Sequence, residues 1–400
     1  MEPTFQLLDE AWIKVRKDGV LTEVSLKEVF SRAHELDAIS GELSTQDVAI
    51  LRLMLAGMYG AIRGRFSTFQ SAMDTWHELW AKGRFEDDFV NRYLEEYRER
   101  FWLLHPADPF FQVAGLETKN KTEKDVTQMI ADVPSRSERR FFSNMSGKAL
   151  QSLTFAEAAR WLIHLQAWDY AGKKASVIGG APDGGGTGWC GKLGIVFAQG
   201  RNLFETLMYN FVLVTSQTAI SIAPPFWEKP AKTAAKEETE PKSYVDLLAL
   251  PSRRALLLFE GERVTGVIAS YGDVFPKENR QNLEQMSGWH ISSVKNQGYI
   301  PTTHNASRCM WRDLGSILPQ QGDDRPGGVN WIANRLKINH VIELCAVGYE
   351  YGAMMGVVNT MVEDSLQLNA TLLSELGADW AQEIINLLSD TEKVVKALGK

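Results

Sequence analysis

Four hundred residues exceed what one hydrophobic core usually organises, so length alone predicts two domains, or one large domain with an appendage. At 44% apolar and 23% charged the composition is that of a folded chain and argues against wholesale disorder. Forty-three Lys and Arg against fifty Asp and Glu leave a net charge of −7, the opposite of what a protein coating nucleic acid by bulk charge carries. Cys190, Cys309 and Cys345 stand far apart with no C-x-x-C pair, which excludes a disulfide framework and a cysteine-rich zinc site and suits a reducing cytoplasm. The acidic Met1-Glu2-Pro3-Thr4 start predicts no secretory signal, and no run of about 18 uncharged apolar residues predicts a membrane span. The expectation is a cytoplasmic protein without a membrane partner.

In chain order, Trp12 to Arg16 alternates apolar and polar, Asp18-Gly19 signals a tight turn, and Val20 to Val24 alternates back, which predicts a hairpin. Ser25-Leu26-Lys27-Glu28 is a capping box that opens a helix. The nearly all-apolar stretch 46–62 predicts a helix buried on most sides. Phe89, Tyr93, Tyr97 and Phe101, four residues apart, predict an amphipathic helix over 86–102. Residues 117–153 are polar and irregular, with Arg136, Arg139, Arg140 and Lys148 around Glu138. Thr154-Phe155-Ala156-Glu157 is a second capping box, opening a helix to about Tyr170.

Gly179 to Gly188 follows, with six glycines in ten positions, and then an apolar helix expected over roughly 202–220. Residues 228–242 hold almost no apolar bulk and read as an exposed, mobile loop. Two strands, 255–259 and 263–268, are joined by Glu260-Gly261-Glu262; 272–330 is loop-rich. The stretch 342–351 is strand-like and leads through Gly352-Ala353-Met354-Met355-Gly356 toward a return strand, and from Asn369 onward the pattern is helical.

Two segments could carry chemistry. The glycine segment (Gly179, Gly180, Gly184, Gly185, Gly186, Gly188) lets the backbone approach a ligand closely and present bare N–H groups. It lacks the Gly-Lys-Ser/Thr of a phosphate loop, and a helix rather than a strand precedes it, against a dinucleotide fingerprint. A flexible surface loop and close approach to a polymer groove both remain open. The basic segment, Arg136 to Arg140 beside Phe141-Phe142, could pair with phosphates and stack on bases, or be a solvated loop. The seven histidines form no ligand doublet, His164 reads as a satisfied core residue, no G-x-S-x-G elbow occurs, and Cys190 has no local base. No metal, cofactor or catalytic set is expected; binding or scaffolding is.

Several segments in order resemble the CasA family, the large subunit of the type I-E CRISPR Cascade surveillance complex. They are Phe5 to Ile13, Val24 to Phe30, Thr45 to Ala49, Arg100-Phe101 through Pro109 to Val113, Leu153 to Leu162, the glycine segment with Gly188-Trp189, and Val347 to Gly352. The resemblance implies an α+β fold: a large mixed N-terminal domain over 1–366, then the start of a C-terminal four-helix bundle over 367–400. The pattern covers a first helix at about 370–389 and the start of a second, so the bundle is expected to be either truncated or completed by residues outside this sequence, with Leu376, Trp380, Ile384 and Leu387 seeking partners.

It also implies a non-catalytic subunit that recognises the protospacer-adjacent motif (PAM) in duplex DNA, helps start unwinding and recruits the helicase–nuclease. Its partners would be other Cascade subunits, the guide RNA 5′ end and target DNA. Position by position, the glycine segment would enter the minor groove, Lys277 would be a basic finger, and Ala353-Met354-Met355 would be the wedge. Arg136, Arg139, Arg140, Phe141 and Phe142 would contact guide RNA or a neighbouring subunit. Relatives usually place glutamine or asparagine at the wedge, where this chain has methionines, and the four-cysteine cluster of some relatives is missing. The competing expectations are a glycine-loop enzyme acting on a nucleotide or small metabolite, and a purely structural subunit.

Overall fold

The computed structural model describes residues 2–86, 89–120, 124–133, 151–182, 184, 186–215, 218–275, 283–294, 298–318, 325–336 and 338–398. Asp18 and Gly19 both take positive φ (50° and 76°), the backbone that lets a two-residue turn follow strand twist. Ile13–Lys17 therefore folds back on Val20–Val24, with Ile13 opposite Val24. Ser25 and Glu28 cap each other's backbone at the head of the helix Leu26–Ser31. Thr154 and Glu157 do the same for the helix Phe155–Trp168.

The helix Ser44–Ile62 is buried along nearly its whole length and packs against Phe155–Trp168. Its one arginine, Arg52, is fully buried and needs a partner there. Glu284 supplies it, each carboxylate oxygen accepting a guanidinium N–H at 3.0 Å, with the Leu247 carbonyl at 2.9 Å. Burial works against the Glu284 carboxylate, but the Arg52 charge outweighs it and holds its pKa below the usual value. Trp189 Nε1 donates to the same carboxylate at 2.8 Å, tying the residue after the glycine segment to the core.

Two antiparallel sheets frame the rest. Val341–Tyr351 is the middle strand of one, between Val358–Asn369 and Ile195–Gln199. Arg253–Glu260 and Arg263–Tyr271 form the second hairpin, and Ala175 N–H donates to Ala269 O at its edge. The mixed helix-and-sheet fold and the return strand agree with the sequence reading.

Several boundaries differ from it. Among the described residues of 86–102 the α-helix is only Val90–Glu96, followed by a 3-10 turn at Arg98–Arg100, because Trp102–Leu104 pairs as a strand with Thr4–Gln6. The aromatic spacing continues past the break because Tyr93 and Phe101 are both buried, whatever the local backbone. The helix expected over 202–220 is only Leu203–Asn210; beyond it Val214–Thr215 turns back on Thr218–Ala219. Segment 228–242 is tied down by side chains from elsewhere in the chain, described below, rather than loose. The C-terminal helix starts later than about 370 and runs unbroken over Ala378–Leu398, after short 3-10 turns at Ala370–Leu373 and Glu375–Gly377. Leu376, Trp380 and Leu387 are exposed as the pattern predicts, whereas Ile384 is half-buried against the core.

Candidate nucleic-acid interface

The end of the helix Phe155–Trp168 is where the site assembles. Asp169 leaves the helix in extended conformation (φ −54°, ψ 137°), so the last carbonyls and the next N–H groups are free for other segments. Gly188 N–H donates to Asp169 O at 2.8 Å, and the Tyr351 hydroxyl donates to Trp168 O at 3.2 Å. Ala171 N–H donates to Met355 O at 2.9 Å. The glycine segment and the methionine tip, far apart in sequence, thus meet at one helix end.

A buried charge cluster clamps this junction. The Arg253 guanidinium, fully buried, pairs with the Asp169 carboxylate and donates to Gly186 O at 2.8 Å and to Asp169 O and Tyr170 O at 3.2 Å each. Lys174 Nζ reaches the same carboxylate at 2.8 Å. Burial opposes the Asp169 charge, but Lys174 and Arg253 outweigh it and hold its pKa below the usual carboxylate value. Burial, reinforced by Arg253, lowers the pKa of nearby Lys192.

Two roles divide the glycines. A Cβ on Gly188 would lie 2.3 Å from Ala167 O, so that position is glycine because the loop exit presses on the helix backbone. Gly184 and Gly186 are exposed and take positive φ (84° and 62°), with the Gly186 carbonyl turned in to Arg253 and the Gly184 carbonyl accepting from Lys236. Gly179 is exposed and Gly180 half-buried; Gly185 lies outside the described residues. The tip is one 3-10 turn, Ala353–Met355, closed by Gly352 N–H to Val357 O at 2.8 Å. Met354 and Met355 both take positive φ (50° and 54°), and Met354 is 93% exposed. Non-glycine residues hold that conformation at a cost of about 1–2 kcal/mol each, so the flanking hairpin imposes it.

Lys277, Arg136, Arg139, Arg140, Phe141 and Phe142 lie outside the described residues. His164 is a satisfied core residue: its Nε2 lies 3.1 Å from Thr45 Oγ1 and 3.0 Å from the Tyr349 hydroxyl. Burial pushes the Cys190 thiol up to about 11, which removes it as a nucleophile. No cluster of His, Cys, Asp or Glu that could hold a metal occurs among the described residues, and no described helix is long and apolar enough to cross a membrane. A cavity of about 590 Å³ is lined by Asp47, Glu343, Glu363 and Asp364 with Arg16, and no residue of the glycine segment borders it. Four carboxylates against one guanidinium make it a poor place for a phosphate.

Sequence reasoning missed Asp169, Lys174 and Arg253. One signal was present: Arg253-Arg254 opens an otherwise apolar strand, and two arginines entering a core require buried partners.

The family described as CRISPR-associated protein Cse1 matches residues 6–400. A CasA/Cse1 protein of Thermus thermophilus is 29% identical over 80% of this chain, which spans 61% of that relative's length. The crystal structure of Cse1 from Thermobifida fusca, 33% identical, superposes with a TM-score of 0.86 over 99% of this chain and 79% of that one. A chain of a CRISPR RNA-guided surveillance complex, 20% identical, shares the fold with a TM-score of 0.73 over 92% of this chain and 77% of its own. With a family match running almost end to end on a shared fold, this chain belongs to the CRISPR-associated Cse1 family.

Proposed function

We propose that the chain is the large, non-catalytic subunit of a cytoplasmic RNA-guided CRISPR complex, and that it reads the PAM in duplex DNA and helps to open it. The observation that carries this reading is the convergence of the exposed glycine segment and the methionine tip on one helix end. A groove about 6 Å wide accepts backbone without side chains, and an apolar wedge beside it can unstack the adjoining base step. Membership of the Cse1 family, and the likeness to a chain of a surveillance complex, support placement among other Cascade subunits. The −7 charge fits a protein that touches nucleic acid through a few local elements while guide pairing reads the long sequence.

In this reading Lys277 is the basic finger, and Arg136, Arg139, Arg140, Phe141 and Phe142 contact the guide RNA 5′ end or a neighbouring subunit. Replacing the three arginines by alanine is expected to weaken assembly and to reduce its salt dependence, and assembly insensitive to all three would leave that segment as solvated surface. The motif-reading domain, expected over 1–366, includes the whole strand Val358–Asn369, and the helical segment expected over 367–400 follows it, with Leu376, Trp380 and Leu387 exposed as a packing face. In the same reading the subunit also recruits the helicase–nuclease.

The test is Gly186→Asn in the assembled complex. Asparagine tolerates positive φ, and a Cβ there meets nothing within 4 Å, so the fold is kept while bulk enters the groove-facing edge. Weakened binding and loss of motif preference are expected. Unchanged affinity and preference would mean a purely structural subunit.

A further inference from the structure

Segment 228–242 has the composition of a solvated loop, yet it is held beside the glycine segment from several directions. The Arg254 guanidinium, fully buried, donates to Ala235 O at 3.0 and 2.7 Å and pairs with the Asp273 carboxylate. Val274 N–H donates to Glu237 O at 3.0 Å, Thr239 N–H donates to Val274 O at 3.2 Å, and Glu238 bridges Val274 in parallel. Lys232 spans Glu237 at 2.6 Å and Asp273 at 2.8 Å. Ala234 packs on the small apolar cluster of Val113, Leu116, Val177 and Ile268. The carbonyls on both sides of Lys236, those of Ala235 and Glu237, are therefore each tied down.

The anchoring fixes the position of one side chain. Lys236 Nζ donates to Gly184 O at 2.6 Å, at the exposed edge of the glycine segment. Lys174 and Arg253 share the Asp169 carboxylate, and Lys232 and Arg254 share that of Asp273, with Lys232 also reaching Glu237. No carboxylate pairs with Lys236 among the described residues. An ammonium has three N–H donors, and the Gly184 carbonyl uses one.

We infer that Lys236 is a contact to the phosphodiester backbone of duplex DNA, presented at the glycine segment by this anchored strap. The inference rests on the reading of that segment as a groove-entering element. Bare glycines can touch a groove floor but cannot balance the phosphates that flank it. A cation held at the edge of the segment supplies that balance, in a protein whose net charge is negative. Hydrogen bonds and ion pairs, rather than apolar burial, hold this stretch and keep an ammonium in register with the loop.

The experiment uses the assembled complex and short duplexes that carry the motif but no guide complementarity, so that binding reports motif reading alone. Affinity is measured between about 50 and 200 mM salt for wild type, Lys236→Gln, Lys236→Arg and Gly186→Asn. Glutamine removes the charge but keeps a donor for Gly184 O; arginine keeps the charge. The expected result is a log–log salt slope shallower by about 0.9 for Lys236→Gln, worth about 3.5-fold less loss of affinity across that range, and a wild-type slope for Lys236→Arg. A wild-type slope for Lys236→Gln, while Gly186→Asn weakens binding, overturns the inference and leaves Lys236 as a brace on Gly184. If Gly186→Asn changes nothing, the groove-reading role itself falls.

Discussion

The glycine segment and the methionine tip lean on the same helix end but are built in opposite ways. Around the segment, fully buried side chains do the positioning: Arg253 and Asp169 clamp it from below, and Gly188 presses on the Ala167 carbonyl. At the tip, a two-stranded hairpin imposes the backbone, Met354 stands 93% exposed, and one hydrogen bond from Ala171 joins it to the helix. The difference teaches that the segment's shape depends on the core behind it, whereas the tip's shape is local and its side chains are free to vary.

Arg253→Ala should break this asymmetry most. It leaves Asp169 half-paired and removes the guanidinium from the Ser252, Asp169, Tyr170 and Gly186 carbonyls, so a loss of about 3–5 kcal/mol is expected in denaturant unfolding. A loss below about 1 kcal/mol would mean the segment is not held from beneath. Asp169→Asn is milder, about 2 kcal/mol at neutral pH. Its pH dependence follows from the lowered carboxylate pKa: the stabilisation is present above the unfolded-state value near 4 and is lost as pH falls through the lower folded value. Melting curves of wild type and Asp169→Asn should therefore converge in acid; a constant gap down to low pH would contradict the charge cluster.

Gly188→Ala comes next, at about 1–3 kcal/mol, since its Cβ meets helix backbone that cannot move aside alone. The tip should respond least. Met354→Ala should stay within about 0.5 kcal/mol of wild type, and Met354→Gly should gain up to about 1 kcal/mol by relieving the positive φ. Replacing Met354 and Met355 together by alanine should slow base-pair opening, followed with a fluorescent base analogue, more than it weakens motif binding. Equal effects on both steps would remove the wedge role, and a large stability loss would remove the contrast between the two regions.

The part of the fold readable in advance was the part written within a few residues. Where neighbours in space were far apart in sequence, periodicity misled. The aromatic spacing of 86–102 ran across a helix end because Phe101 and Tyr93 are buried by the same core from different backbone shapes. The apolar run after Leu203 looked helical, but burial of irregular backbone around Phe211 to Leu213 demands apolar residues just as well. Of the candidate site, the glycine segment and the tip were visible as composition and turn signals. Their common support was not, because Asp169 and Lys174 look like ordinary helix-end charges until Arg253 arrives from another strand.

The sequence by itself determined the two capping boxes, the Asp18-Gly19 turn, the buried helix Ser44–Ile62 and the long hairpin with Met354 at its tip. Each depends on hydrogen bonds or sterics between residues within about four positions, or on a regular apolar period, and both survive translation into a string of letters. Only the tertiary structure decided that Gly188 and Met355 share one helix end, that Arg253 is buried beneath them, and that residues 228–242 form an anchored strap carrying Lys236. Those facts rest on single contacts between segments tens to more than a hundred residues apart, where a buried charge or a carbonyl finds its partner by the packing of the whole chain.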